Sequence, residues 1–432
     1  MDTNTMKREM QDVLEKNILP FWMEKMVDRE HGGFYGRIDG HGQLHPEAEK
    51  GAILNARILW TFSAAYRVMR EVSGESEEVR EYLKMATRAK DYILDHFIDV
   101  EYGGVYWSVD YLGHPLDTKK QFYAIGFAIY GLSEYARATG DHEALDYAIQ
   151  LFNCIEEHAL DPLYNGYIEA CTRDWQPIAD MRLSDLDANS PKSQNTHLHI
   201  IEPYANLYRC LLEHQRATSC NYVPAIGAVL PVDIAIPQET VIRVGAALRN
   251  LIGIFTNHIL NPETHHLDLF FEMDWTRGAG QIESYGHDIE CSWLLHEAAL
   301  VLGDSDVLKR VEPIVRQVAK ASEKGLRPDG SMIHEANLTT NHVDDDLHWW
   351  VQAENVVGWM NIYQYFGDDS ALEHAQRCWQ YIKDNLIDRE NGEWFWSRHP
   401  DGTLNTVDDK AVFWKCPYHN SRMCLEVMER SL

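Results

Sequence analysis

Tyr102-Gly103-Gly104-Val105-Tyr106-Trp107, followed by Leu112-Gly113, sets turn residues beside alternating aromatics, the signature of a short β-hairpin. The signature returns at His31-Gly32-Gly33-Phe34-Tyr35-Gly36 (closing through Asp39-Gly40-His41-Gly42) and at Tyr164-Asn165-Gly166-Tyr167-Ile168-Glu169. It appears again at His265–Phe271, Arg327–Met332 and Asn391–Trp396. The spacing is roughly 60–70 residues, with one gap nearer 100, enough for a helix pair each time. Helical periodicity fills the spaces, giving about twelve helices near 6–27, 47–73, 76–98, 118–139, 141–159, 192–215, 238–261, 284–302, 304–324, 345–367, 369–387 and 416–431. Six helix–hairpin–helix units cannot each bury a core alone. Closed into a ring they can, with one helix of each pair inside and one outside. The sequence therefore predicts an all-α (α/α)6 barrel with short β-hairpins at one end, a single catalytic domain over residues 1–432. An open helical solenoid is the alternative, but nothing along the chain resembles a polar capping repeat. The wide gap contains residues 216–238, rich in Pro, Val, Ala and Ile, and an insertion is expected there.

The 432 residues are 45% hydrophobic and 25% charged, ordinary values for a globular chain with a large core. A formal net charge of -28 argues against nucleic acid or an anionic membrane surface as partner. The N-terminal segment leads into a polar helix without the apolar run of a secretory signal. The apolar stretch near 223–236 is interrupted by Pro224, Pro231 and Asp233, so no membrane span is expected. Eight scattered cysteines without a C-x-x-C pair read as reduced thiols of a cytoplasmic protein, monomeric or weakly dimeric.

The chemistry gathers where the second helix of each unit begins. Ser284-Tyr285-Gly286-His287-Asp288-Ile289-Glu290 opens one such helix, with Ser284 in N-cap position and His287 and Glu290 on one face. An imidazole there can move a proton near neutral pH, and a carboxylate one turn on can fix its tautomer or act as a second base. Equivalent positions carry Lys50 and Arg57, Lys120 and Tyr123, and Asp187 ahead of Asn195, His199 and Glu202. The last units add His348, Trp349, Trp350 and Glu354, then Trp414, His419 and Arg422. Such a wall suits a sugar, with Trp faces stacking on pyranose rings and charged or amide groups bonding hydroxyls. Glu354 is among those substrate-contact candidates. Arg57 has a second reading, as a buried ion-pair partner of Glu202 or Glu354. Only one of Trp349 and Trp350 can face inward. His96, His142, His158 and His214 read as surface residues. No H-E-x-x-H, paired-Cys, phosphate-loop or dinucleotide motif is present, so neither metal nor organic cofactor is expected.

At these residues the chain resembles the N-acylglucosamine 2-epimerase superfamily, and within it the cellobiose 2-epimerases. The resemblance runs from the first helix to Arg430. Its sharpest pieces are Lys50–Arg57 with Ile58-Leu59-Trp60, Tyr102–Trp107, Asn195–Glu202, Ser284–Glu290, Trp349–Glu354 and Trp414–Glu426. It implies the (α/α)6 barrel and C2 epimerisation of the reducing-end glucose of β-1,4-linked disaccharides such as cellobiose and lactose, without cofactor or metal. It also implies roles. His287 and His419 would be the acid/base pair, His199 would assist ring opening, Arg57 would hold the oxyanion, and Glu290 would orient or relay. Tyr123, Asp187 and Asn195 would contact the reactive sugar, and Trp350 and Trp414 would stack on the disaccharide. Segment 216–238 departs from the family, which joins these helices more directly. Rival readings are a monosaccharide aldose–ketose isomerase or an N-acylglucosamine 2-epimerase on the same scaffold, a glycoside hydrolase, and a non-catalytic sugar-binding protein. A hydrolase would need a carboxylate pair across the bond, for which Glu290 and Glu354 are available.

Overall fold

The structure is a computed structural model that describes residues 2–185, 187–219, 236–278 and 280–431. In chain order its helices are α1 (Thr3–Val13, continued by a π turn at Leu14–Ile18 into Leu19–Glu24), α2 (Ala52–Ser73), α3 (Glu77–Tyr92), α4 (Phe122–Thr139), α5 (His142–His158) and α6 (Gln194–Ser219). The second half adds α7 (Gln238–Ile254), α8 (Tyr285–Leu302), α9 (Ser305–Ser322), α10 (Trp349–Phe366), α11 (Asp369–Asn385) and α12 (Tyr418–Glu429). The even-numbered helices contact one another in succession, and α12 returns to α2, so the inner ring is closed. Each odd-numbered helix lies outside, α3 on α2, α5 on α4, α7 on α6, α9 on α8, α11 on α10 and α1 on α12. This is the (α/α)6 barrel.

The two layers differ in sequence because they differ in surroundings. Inner α4, Phe122-Tyr123-Ala124-Ile125-Gly126-Phe127-Ala128-Ile129-Tyr130, is buried around its whole circumference. Outer α3 buries Val79, Tyr82, Ala86 and Ala89, a single stripe at helical spacing, and Ser76 caps it by accepting from the Val79 N–H. No helix among the described residues is long and apolar enough to cross a membrane.

The six expected hairpins are all present. Each is pinned by one bridge across its turn: Val27 to Phe34, Ile98 to Val105, Leu160 to Tyr167, Leu260 to Leu267, Leu326 to Met332 and Ile387 to Trp394. They do more than turn the chain. Short strands β1 (Lys50–Gly51), β2 (Ser108–Val109), β3 (Pro115–Asp117), β4 (Lys120–Gln121), β5 (Ala170–Cys171), β6 (Lys192–Ser193) and β7 (Phe270–Phe271) pair as β1-β2-β3, β4-β5 and β6-β7. Further on, β8 (Ile282–Ser284), β9 (Glu335–Asn337) and β10 (His342–Asp344) form a second three-stranded sheet, and β11 (Leu347–His348) pairs with β12 (Ser397–Arg398). The strand before each inner helix thus joins the hairpin of the next unit. This is why α2, α4 and α10 begin about four or five residues later than helical periodicity alone suggests.

A buried ion pair repeats with the units. Asp28, Asp99, Asp161 and Asp388 each cap a hairpin turn with one carboxylate oxygen. The other oxygen takes Lys50, Lys120, Lys192 and Lys410, at 2.7, 2.9, 2.8 and 2.6 Å. Lys50 and Lys120 therefore belong to the framework and not to the sugar-facing wall. The expected insertion at 216–238 lies outside the described residues over 220–235. His214, read as a surface residue, is buried against His142, with ring centroids 5.3 Å apart, and His96, His142 and His158 are half-buried.

Candidate active site

Every inner helix delivers its chemistry within its first three turns. The side chains are Arg57 from α2, Tyr123 from α4, His199 and Glu202 from α6, His287 and Glu290 from α8, Trp350 and Glu354 from α10, and His419 and Arg422 from α12. Because the helices are parallel staves of one ring, these turns meet at one end of it.

Two clusters form there. In the first, Trp350 is the common neighbour of two imidazoles, its ring centroid 4.9 Å from His287 and 5.7 Å from His419. Gly286 makes room, since a Cβ there would lie 2.7 Å from the Trp350 ring. Trp349 turns the other way and packs on Trp396 at 4.7 Å. In the second cluster, Tyr123 touches His199 at 4.9 Å and Trp414 at 5.9 Å between centroids. Arg57 donates to the Tyr123 hydroxyl at 2.9 Å and to the Trp414 carbonyl at 3.2 Å. Asn195, one turn before His199, lines a small recess with Asp187, Glu169 and Ser193. The Asp187 carboxylate accepts from the Ser184 N–H and hydroxyl.

The hydrogen bonding differs from the simplest expectation at three points. Ser284 occupies the N-cap of α8, but its hydroxyl bonds His287 Nδ1 at 2.8 Å and makes no cap bond. Glu290 does not orient His287; it faces His419 Nδ1 at 4.0 Å and accepts from Arg422 at 2.8 Å. Arg57 bonds neither Glu202 nor Glu354. The arginine that bonds both is Arg422, fully buried, which reaches Glu202, Glu290 and Glu354 together. Glu354 is therefore less a sugar contact than the partner of His419, Nδ1 to Oε1 at 2.7 Å. Its other oxygen accepts from the Trp293 indole at 2.9 Å. His199 pairs likewise with Glu202 at 3.1 Å. Arg422 was visible in the sequence beside His419, but nothing local marked it as the hub of three glutamates from three other helices.

Burial and charge set the protonation states. Desolvation, then the neighbouring His334, His199 and His419, hold His287 well below the ordinary imidazole range. Desolvation, then Arg57 and Arg422, do the same for His419. His199 is also lowered by burial, against the pull of Glu202. Burial alone would raise Glu202, but Arg422 brings it below the usual carboxylate value. Glu290 goes the other way: burial and the adjacent Glu354 push its carboxyl well above the usual range. At neutral pH the site therefore favours neutral imidazoles, and the shift of Glu290 favours its protonated form, in a cluster braced by two arginines.

A second cavity, of about 410 Å³, opens at the opposite end of the ring. Its arginines are already engaged, Arg67 and Arg137 with Glu134 at 2.7 Å each and Arg209 with Glu297 at 2.6 Å, so it has the character of a solvated ion-pair lattice.

Among known proteins, the N-acylglucosamine 2-epimerase (GlcNAc 2-epimerase) family model matches residues 33–203 and 245–420. The chain is 57% identical over 423 residues to a cellobiose 2-epimerase of Bacteroides fragilis, covering 98% of both chains. It is 38% identical over 425 residues to a cellobiose 2-epimerase of Ruminococcus albus, again covering 98% of both. The solved structure of a cellobiose 2-epimerase from Bacillus thermoamylovorans superposes with a TM-score of 0.86 at 37% identity, over 99% of this chain and 100% of that one.

Proposed function

The chain belongs to the N-acylglucosamine 2-epimerase family, and from that premise we propose that it acts as a cellobiose 2-epimerase, interconverting glucose and mannose at the reducing end of β-1,4-linked disaccharides. The observation that carries this reading is the pair His287 and His419 in ring contact with one indole, Trp350. A stacked sugar would lie within reach of two separate bases there, which inversion of a C–H centre needs.

The steps follow from the substrate. C2–H is acidic only when C1 is a carbonyl, so the hemiacetal opens first, with His199 assisting. One imidazole removes the C2 proton and leaves an enediolate. Arg57 and His199 stabilise the charge that develops on O1 and O2. The second imidazole returns a proton to the opposite face of C2. Both imidazoles start neutral, so the donor must first be charged. That proton has to arrive at the nitrogen facing the sugar, because the other nitrogen of His419, the one Glu290 faces, is held by Glu354. Glu354 holds His419 in the tautomer with hydrogen on Nδ1, leaving Nε2 for the chemistry. Asp187, Asn195 and Tyr123 fix the reacting sugar, and Trp414 extends the platform for the second ring. We place the whole chain in the cytosol, one catalytic unit acting on free disaccharide.

The test is cellobiose in D2O without added metal. Glucosyl-mannose carrying deuterium at C2 is the expected product. Free glucose would replace this reading with a hydrolase, and a ketose as main product with an aldose–ketose isomerase.

A further inference from the structure

Among the described residues, two groups of side chains bring three metal-ligating atoms together, and in one of them an arginine already takes the cation position. In the inner group, Glu290, Glu354 and His419, the cation position is already filled: Arg422 Nη2 lies 2.8 Å from Glu290 and 2.6 Å from Glu354. The outer group is His334, Asp344 and His348, at the rim of the ring.

The hairpin and the next strand build the outer group. Asp344 ends β10 and His348 ends β11, while His334 immediately precedes β9 and its N–H donates to the Asp344 carbonyl at 3.1 Å. His334 Nδ1 is 2.7 Å from Asp344 Oδ2, which is 3.6 Å from His348 Nε2. All three ligand atoms lie within 4.8 Å of one another. A tetrahedral zinc ion with bonds of about 2.0–2.1 Å spaces its donors by about 3.4 Å; the His348–Asp344 separation is close to this, while the His334–Asp344 contact is a hydrogen bond that the ion would replace as the ring moves back. The side chains are 16–34% exposed, so an ion has a path in and water can complete the shell. The second Asp344 oxygen accepts from the Asp346 N–H at 3.3 Å, which orients the carboxylate.

We propose that His334, Asp344 and His348 form a binding site for a borderline divalent cation, zinc in the first instance. Two imidazoles and one carboxylate with an open fourth position suit that class and not calcium or magnesium, which prefer all-oxygen shells. The site stands beside the proton-transfer groups, with His334 next to Trp350, and no step of the reaction is routed through it. A bound ion ties β10 and β11 to the residue just before β9, the neighbour of the β8 strand that leads to His287. It also fixes the His334 ring, which stands 5.5 Å from Trp350.

The experiment is calorimetric titration of the chelator-treated full chain with zinc sulfate at pH 7.5, where free imidazole is neutral. One zinc per chain and a raised thermal midpoint are expected. His348→Gln and Asp344→Asn, each checked by circular dichroism, should bind zinc at least about tenfold more weakly. The proposal is overturned if the parent takes up no stoichiometric zinc. It is equally overturned if His348→Gln, folded, binds as tightly as the parent, or if uptake survives that change and disappears in His419→Asn.

Discussion

Glu354 accepts from His419 across the interior of the ring, Nδ1 to Oε1 at 2.7 Å, and the two residues are 65 positions apart on neighbouring inner helices. Carboxylate and imidazole are both almost fully buried, so the bond is shielded from water and fixes which nitrogen bears the proton. The corresponding bond of His287 goes to a hydroxyl, which can donate or accept. The two imidazoles are thus held differently: one has a fixed tautomer and the other an exchangeable one.

His419→Asn and His287→Asn should each lower epimerisation by at least on the order of 10²–10⁴-fold, the usual worth of a positioned acid or base. His114→Asn, an exposed control with its side chain 72% accessible, should stay within a few-fold. Product formation and C2 exchange in D2O are the readouts. One variant should still exchange the C2 proton of glucose-ended substrate, and the other that of mannose-ended substrate. A folded variant of either histidine that keeps near-parent epimerisation would end the two-base mechanism.

Glu354→Gln should reduce kcat more than it raises KM, because an amide can donate to Nδ1 and stabilise the wrong tautomer. The expected loss is on the order of 10²-fold. A pure KM effect would return Glu354 to the role of a sugar contact.

The pH dependence has a definite sign. His287 and His419 are both depressed below the ordinary imidazole value of about 6.5, so they remain neutral bases until the pH falls well under it. The acid limb of kcat/KM should therefore lie below pH 6.5; one centred at or above 6.5 contradicts this. Stability follows the same sign. Buried neutral His197, pushed down to about 4, keeps its contribution above pH 6.5 and loses it as the pH falls toward 4, because the unfolded chain takes up the proton first. The loss is on the order of 3 kcal/mol by pH 4, visible as a falling thermal midpoint.

Arg422→Met should cost stability as well as activity. It would strand Glu202, Glu290 and Glu354 in the interior without their common counter-charge. Breaking a buried pair of this kind costs about 3–5 kcal/mol. Denaturant unfolding should show it, and a variant as stable as the parent would mean that the glutamates are protonated together.

Trp350→Ala and Trp414→Ala should act chiefly on substrate binding, raising KM for cellobiose several-fold more than they lower kcat. Lys120→Met, by contrast, should lower the unfolding midpoint by removing the buried one of the two cations on Asp99, the other being Arg173. It should leave the KM of the folded fraction near the parent value.

The ring was legible in the sequence because its signals are local and recur. Gly-aromatic turns such as Tyr102–Trp107 and the stripe of α3 need no distant partner to be recognised. The positions of the candidate imidazoles His287 and His419 were legible too, each at the first turn of an inner helix. Pairing across the ring was not. Whether Arg57 or Arg422 meets the glutamates depends on the rotation of α2 and α12 about their axes, which apolar helices buried on all sides do not reveal by periodicity. The lysines before α2 and α4 misled for a related reason: their aspartates lie 22 and 21 residues upstream, in hairpins that only the folded sheet brings back.

Arg422 has a consequence for the order of events in the cell. Glu202 is made early and its counter-charge comes 220 residues later, on the last helix. A nascent chain exposing α6 therefore carries a carboxylate whose partner is not yet synthesised. Synthesis from the N-terminus leaves the arc of staves open until α12 docks. The proposed proton-transfer pair is thus completed only when the last stave closes the ring.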